Sequence, residues 1–107
     1  MTSRRIYLEC QLSQGSFSGE VVFEVETIGD GTYVGVAPKR DCFKPNGQLF
    51  ELDELPQNGS TVKGKIATTL VANGGDVARI ALPDGEDVKV SAALISERES
   101  EISHVLV

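Results

Sequence analysis

Tryptophan is absent from this chain, and aromatic residues make up only 6% of its 107 residues. A core with so few rings must rely on Val, Ile, Leu and Ala, which a hydrophobic content of 40% supplies. The length fits one domain, because two separate cores would each be only marginally stable.

Positive charge is also scarce, since 10 Lys and Arg against 16 Asp and Glu give a net charge of −6. Phosphate backbones and anionic lipid surfaces repel such a chain on average, which argues against general nucleic-acid or membrane binding. No apolar run reaches the length of a membrane span, and no apolar segment follows the first residues. The sequence therefore predicts neither a spanning helix nor a secretory signal.

Histidine and cysteine are too few for a metal centre or a disulfide framework. The single histidine, His104, has no partner ligands at zinc spacing, and Cys10 and Cys42 lie far apart in the chain. We expect a cytoplasmic protein with two reduced thiols and with neither metal nor cofactor.

Phosphate-binding and calcium-binding motifs are missing as well. No Gly-rich nucleotide motif is present, and the acidic clusters at 51–54 and 84–87 lack the alternating oxygen ligands of a calcium loop. We interpret these clusters as a charged loop and a solvated turn.

What the chain does contain is an alternation of apolar and polar residues. The pattern runs through residues 5–12 and 20–28, returns at 60–71, and continues at 77–82. Alternation predicts strands with one buried and one wet face. The intervening turns contain glycine, which supplies the positive φ that hairpins require.

The first hairpin turn sets an expected strand register. A two-residue Asp30-Gly31 loop would place Val25 opposite Val36, with both side chains in the core. A three-residue loop would pair Val25 with Gly35 and move Val36 to the face that carries glutamates. A one-residue slip exchanges the faces of a strand, so we expect the two-residue loop.

Two later turns lead to similar expectations. A loop at 73–75 would place Leu70 opposite Ala78, and a loop at 84–86 would place Ile80 opposite Val90. These registers predict nearly complete burial for Val25, Val36, Ile66, Ile80, Leu82 and Val90.

The segment from 61 to 95 resembles the second half of an SH3-like barrel. It has two long strands, a Pro-Asp-Gly turn, a short strand, and a small-residue stretch at 91–94 suited to one 3₁₀ turn. We predict an all-β fold, a small antiparallel SH3-like barrel or roll of six to seven strands. SH3-like folds host unrelated functions, so the resemblance assigns no binding residue.

The chain divides into a barrel and a tail. Residues 1–96 should form the barrel with a long central loop at 39–59, and residues 97–107 a charged spacer and apolar tail. The central loop has room for a short turn or strand at 48–52. The tail can dock on the barrel's own edge or on that of a second copy, which would give a homodimer. The apolar tail residues are Ile102, Val105, Leu106 and Val107.

The central loop is where we first look for function, because long irregular loops are often functional. Cations interleave there with aromatics, a pattern that can hold an acidic peptide or a single nucleic-acid strand. We expect a non-enzymatic module that binds a protein or peptide through the 39–50 loop or an open sheet edge. The candidate residues are Tyr33, Lys39, Arg40, Phe43 and Lys44.

Two alternatives belong to other classes of function. A nucleic-acid accessory domain could use the basic loop at 39–44, although the net charge disfavours it. An enzyme could use Cys42, whose cationic neighbours would lower its thiol pKa. A nucleophilic cysteine also needs a base, and nothing in the sequence places His104 beside Cys42, so we predict no enzymatic activity.

Overall fold

The computed structural model describes residues 4–57 and 59–97. Short 3₁₀ turns lie at Lys39–Asp41, Leu52–Glu54 and Ala92–Leu94. Within the described ranges, no helix combines the length and the hydropathy needed to cross a bilayer. The strands are β1 (Arg4–Gln14), β2 (Glu20–Glu26), β3 (Thr32–Pro38), β4 (Cys42–Phe43), β5 (Val62–Asn73), β6 (Val77–Ala81), β7 (Asp87–Ser91) and β8 (Ile95–Glu97).

The strands form one curled antiparallel sheet in the order β3-β2-β1-β5-β6-β7, with β4 added to β5 and β8 added to β1. This half-barrel confirms the predicted all-β, SH3-like fold class. The 3₁₀ turn predicted before the last strand is present at Ala92–Leu94. Its cap is Ser91, whose hydroxyl accepts a hydrogen bond from the Ala93 N–H at 3.2 Å.

The core lies on the concave face of the sheet, where the alternating side chains of β1 and β2 meet those of β5 and β6. Five of the six predicted core positions are buried, all except Val36. Burial of this apolar surface is the main driving force for the fold. The largest fully buried side chains are Phe23, Ile6, Leu8, Leu12, Ile66 and Ile80.

The predicted register of the first hairpin is wrong. Val25 lies opposite Tyr33 rather than Val36, and Val36 is 43% exposed. The reason is the position of the loop: the Thr27 N–H donates to the Gly31 carbonyl at 3.0 Å, so three residues, 28–30, connect the strands and the loop begins one residue before the three-residue alternative. Odd-numbered residues of β2, which face the core, now pair with odd-numbered residues of β3, so the even-numbered Val36 faces outward.

Gly35 explains how this register is accommodated on the inner face of β3. A Cβ built on Gly35 would lie 2.8 Å from the Phe23 ring and 2.5 Å from a carboxylate oxygen of Asp84. The absence of a side chain thus leaves room for the largest core residue against the edge strand.

In the second hairpin the expected pairing is displaced by two residues. Leu70 lies opposite Ile80 instead of Ala78, and the register shifts between Leu70 and Ala72. Next to the turn Asn73 lies opposite Ala78, three residues beyond the expected pairing, and the irregularity shifts the register back by one residue. A turn pattern does not reveal such an irregularity.

The third hairpin is displaced by the same amount. Ile80 lies opposite Val88 instead of Val90, because the loop begins one residue earlier and the Leu82 N–H donates to the Glu86 carbonyl at 2.8 Å. A shift of two residues preserves the face of each side chain, so Ile80 and Val90 are still buried.

The described residues of the 39–59 segment are more ordered than a long loop with one short turn or strand at 48–52. It contains β4, two 3₁₀ turns and a bridge between Phe43 and Leu49. Phe50 and Leu55 are buried in the core, and the Gln14 N–H donates to the Pro56 carbonyl at 2.9 Å. The segment is therefore a packed cover over one end of the half-barrel.

The predicted tail contacts and the predicted homodimer stay predictions. His104 and the four apolar tail residues lie outside the described residues.

Candidate functional site

The structure divides the predicted partner-binding residues between two places. Tyr33 lies on the inner face of β3, with its ring 6.1 Å from that of Phe23. Phe43 packs edge-on against Tyr7 at 5.1 Å, and Tyr7 alternates with the buried residues of β1, which places it on the outer face. The two predicted aromatics therefore do not form one patch.

The three predicted cations differ in their surroundings. Lys39 and Arg40 belong to a 3₁₀ turn, where Arg40 is exposed. The Lys44 ammonium lies 2.6 Å from a carboxylate oxygen of Glu54. Hydrogen bonds from Lys44 and from the Glu51 N–H hold the pKa of Glu54 below its usual value. Lys44 is therefore already paired with a carboxylate.

Tyr7, Phe43 and Lys65 form a cluster that the sequence patterns do not predict. The Lys65 ammonium lies 4.6 Å from the centre of the Tyr7 ring, on the same outer face as the Phe43 ring. The members come from three strands, so only a correct pairing of β1, β4 and β5 could have identified the cluster from the sequence.

Cys42 is fully buried, and its thiol donates to the Pro38 carbonyl at 3.5 Å. Burial raises its pKa to about 12, and the nearby Asp41 acts in the same direction. Lys39 lowers the pKa, but its effect is smaller than that of burial. The Cys10 thiol is also buried, and its pKa is likewise raised. Burial thus outweighs the cationic sequence context of Cys42.

One of the two ends of the sheet is the outer edge of β3, which we call the β3 edge. In the described part of the chain, β3 pairs only with β2 and ends the sheet. An unpaired edge presents free backbone donors and acceptors to an approaching chain.

Two backbone hydrogen bonds establish which β3 residues face this edge. Thr27 donates to Gly31, and Lys39 donates to Gly19, so the hydrogen-bonded pairs of the hairpin join odd-numbered residues. Antiparallel ladders alternate, and the even-numbered residues therefore direct N–H and C=O away from β2. The residues with outward N–H and C=O groups are Thr32, Val34 and Val36.

Exposed apolar side chains lie beside these backbone groups. Val34 is 57% exposed, Val36 is 43% exposed, and Phe17 in the turn between β1 and β2 is 74% exposed. Phe17 and Val36 line one shallow groove of about 350 Å³. We call Phe17, Val34 and Val36 the valine patch.

Carboxylates border the valine patch on its β2 side. Glu24 lies opposite Val34, and Glu20 lies opposite Pro38 and lines the same groove as Val36. Among the described residues, neither glutamate forms an ion pair. This acidic rim, Glu20 and Glu24, makes the surface both apolar and negative.

The β3 edge is held in place from the opposite side of the half-barrel. The Tyr33 hydroxyl donates to the Asp84 carboxylate at 2.6 Å, and the Ile28 N–H donates to the Lys89 carbonyl at 2.8 Å. These contacts attach the β2–β3 hairpin to β7 and to the turn before it. The edge is thus presented on a fixed support, which lowers the entropic cost of binding.

The sequence predicts an open sheet edge as one possible surface without indicating which strand provides it. The incorrect register placed Val36 in the core, which concealed the valine patch. Gly35 is the signal that could have found it, because a glycine in a strand marks a close approach by another group.

No group of three or more His, Cys, Asp or Glu side chains is arranged to hold a metal ion in residues 4–57 and 59–97. Comparison with known proteins finds no matching family, no matching curated sequence and no matching solved structure.

Proposed function

We propose that this protein is a non-enzymatic interaction module that binds an extended segment of a partner protein along the β3 edge. The observation that carries the proposal is the coincidence of outward backbone groups at Thr32, Val34 and Val36 with the exposed valine patch. An added strand would gain main-chain hydrogen bonds from Thr32, Val34 and Val36 and apolar contacts from Val34, Val36 and Phe17.

The composition of β3 supports this use of the edge. Proteins commonly protect edge strands with lysine, proline or a bulge. Residues 32–37 contain none of the protecting residue types, and Pro38 only ends the strand. The pairing of residues 20–26 with β3 has no register shift, so no bulge interrupts the row of outward backbone groups on β3.

The 39–44 loop has less support as a nucleic-acid site. Lys44 is already paired with Glu54, and Phe43 is packed against Tyr7. Lys39 and Arg40 remain, on a chain whose net charge is −6. We therefore prefer a protein or peptide partner.

We also propose that the protein works in a reducing compartment such as the cytoplasm. Cys10 and Cys42 are both free and buried, and free buried thiols are typical of proteins in reducing compartments.

Site-specific photo-crosslinking tests the proposed surface. A benzoylphenylalanine at Val36 reports on the β3 edge, and the same group at Leu49, which is 50% exposed, reports on the 39–50 loop. Both probes are introduced into the full chain in its source cell, and the crosslinked segment of the partner is mapped by mass spectrometry. The proposal expects adducts from position 36, with an extended partner segment.

An edge-blocking variant completes the experiment. Val34→Pro removes an N–H that points away from β2, so the ladder with β2 is retained while one bond to an added strand is lost. Circular dichroism and melting verify that the variant is folded. Loss of the adduct in the folded variant supports the proposal. Adducts from position 49 alone, or a position-36 adduct that survives Val34→Pro, would contradict it.

A further inference from the structure

We infer that the segment bound at the β3 edge carries lysine or arginine at alternate positions, and that its cations reach the acidic rim across the valine patch. This inference rests on the proposed function and assigns the chemical class of the partner: an extended basic segment.

Strand geometry determines which ligand residues meet the outer face. Side chains alternate along an added strand, so every second one stands beside Val34 or Val36. The next strand inward is β2, which carries Glu20 and Glu24 on the same face. Since neighbouring strands lie about 4.8 Å apart, the ligand backbone would lie about 10 Å from the β2 backbone.

A long cationic side chain suits both parts of this surface. The methylene stem of lysine or arginine can cover apolar side chains while its charged head stays hydrated or meets a carboxylate. A stem lying over Val34 would bring its cation towards Glu24, and one lying over Val36 would approach Glu20. A short aliphatic residue would leave the glutamates without a partner, and an acidic residue would be repelled.

Charge also argues against a second copy of this chain as the occupant. Edge-to-edge pairing of two β3 strands would leave both acidic rims without cations and would join two chains that each carry a net charge of −6. Like charges placed across an interface disfavour association, whereas a basic segment is attracted to this surface from a distance.

Peptide titration tests the inference with defined probes. Two capped peptides of about seven residues alternate valine with lysine or valine with glutamate, and each is added to the ¹⁵N-labelled full chain while amide shifts are followed. A third peptide has the lysine sequence with N-methylated amides on the edge that pairs. We expect the lysine peptide to bind, with shifts centred on Thr32–Pro38, and N-methylation to abolish binding.

Charge exchange in the protein provides the second arm. Glu20→Lys/Glu24→Lys should lower the affinity for the lysine peptide by roughly fivefold for each lost ion pair. The same variant should bind the glutamate peptide with measurable affinity. Glu51→Lys/Asp53→Lys is the matched control, because it makes the same change in net charge at exposed positions away from β3. The control should retain most of the preference for lysine.

The outcomes separate the inference from the function on which it rests. Equal binding of both peptides at β3 would overturn the inference and leave the proposed function standing. Binding of neither peptide, or shifts that avoid β3, would overturn both. Equal loss of the preference for the lysine peptide in Glu51→Lys/Asp53→Lys would also overturn the inference. It would show that the peptide is attracted by the net charge of the protein rather than by the acidic rim.

Discussion

The Tyr33 hydroxyl donates a hydrogen bond of 2.6 Å to the Asp84 carboxylate, although the two residues lie 51 positions apart in the sequence. Tyr33 belongs to β3 at one end of the sheet, and Asp84 belongs to the turn between β6 and β7 at the other end. The bond therefore joins the two ends of the curled sheet and supports the β3 edge from inside.

Titration of the tyrosines tests this bond. The hydrogen bond to Asp84 is the largest of the effects that raise the pKa of Tyr33 to about 12. A raised folded pKa means that the stabilisation is complete below the unfolded pKa of about 10 and is lost as the pH rises through the folded value. Phenolate absorbance should show Tyr33 ionising late in the wild type and near its usual pKa in Asp84→Asn. Tyr33→Phe assigns the transition, and identical curves for the wild type and Asp84→Asn would contradict the bond.

Gly35 should tolerate no side chain. The added methyl of Gly35→Ala would meet the Phe23 ring and the Asp84 carboxylate, so we expect a loss of about 1–3 kcal/mol in the free energy of unfolding from overpacking. Gly31→Ala, at a φ of +72° in open space, should cost only about 1 kcal/mol of backbone strain. Denaturant melts measure both. A smaller loss at Gly35 than at Gly31 would argue against the observed inner face of β3.

The Thr68 hydroxyl is buried, and no group in the described part of the chain forms a hydrogen bond with it. Thr68→Val replaces this hydroxyl with a methyl group of similar shape, so the free energy of unfolding should rise by about 1 kcal/mol. Thr61→Val is the control: its exposed hydroxyl donates to Gln11 at 3.1 Å, and its replacement should change stability by less than about 0.5 kcal/mol. Destabilisation by Thr68→Val would show that the hydroxyl has a partner.

Core truncations distinguish the observed register from the one predicted for the first hairpin. Ile66→Ala should cost about 2–5 kcal/mol through lost burial and a residual cavity, because Ile66 is fully buried. Val36→Ala should cost less than about 0.5 kcal/mol, because Val36 is an exposed side chain outside the core. Urea denaturation provides both values, and a large loss for Val36→Ala would restore the predicted register.

Much of the fold follows from alternation alone. The pattern at 5–12 predicts β1 and its buried face, and two-residue errors in the later hairpins leave residues such as Ile80 in the core. Face assignment depends only on whether the error is even or odd. The predicted register of the first hairpin is wrong because its loop has three residues instead of the expected two, and this odd difference exchanges the two faces.

The candidate site was harder to predict for the same reason. An edge strand is defined by what does not pair with it, and that depends on the order of all strands in the sheet. The exposed position of Val34 and Val36 likewise depends on how the Thr27–Gly31 connection closes. Local sequence patterns contain neither the strand order nor the closure of this connection. The cations, in contrast, can be read directly from the sequence.

Amide hydrogen exchange of β3 tests the central claim most directly. In the free protein, the N–H groups of Thr32, Val34 and Val36 should exchange quickly, while those of Tyr33, Gly35 and Ala37, which face β2, should be protected. Saturation with the alternating lysine peptide should slow exchange of the three outward amides by about tenfold or more. Outward amides already as protected as the inner ones in the free protein, or still fast with peptide bound, would contradict the claim that β3 is an open edge that accepts a strand.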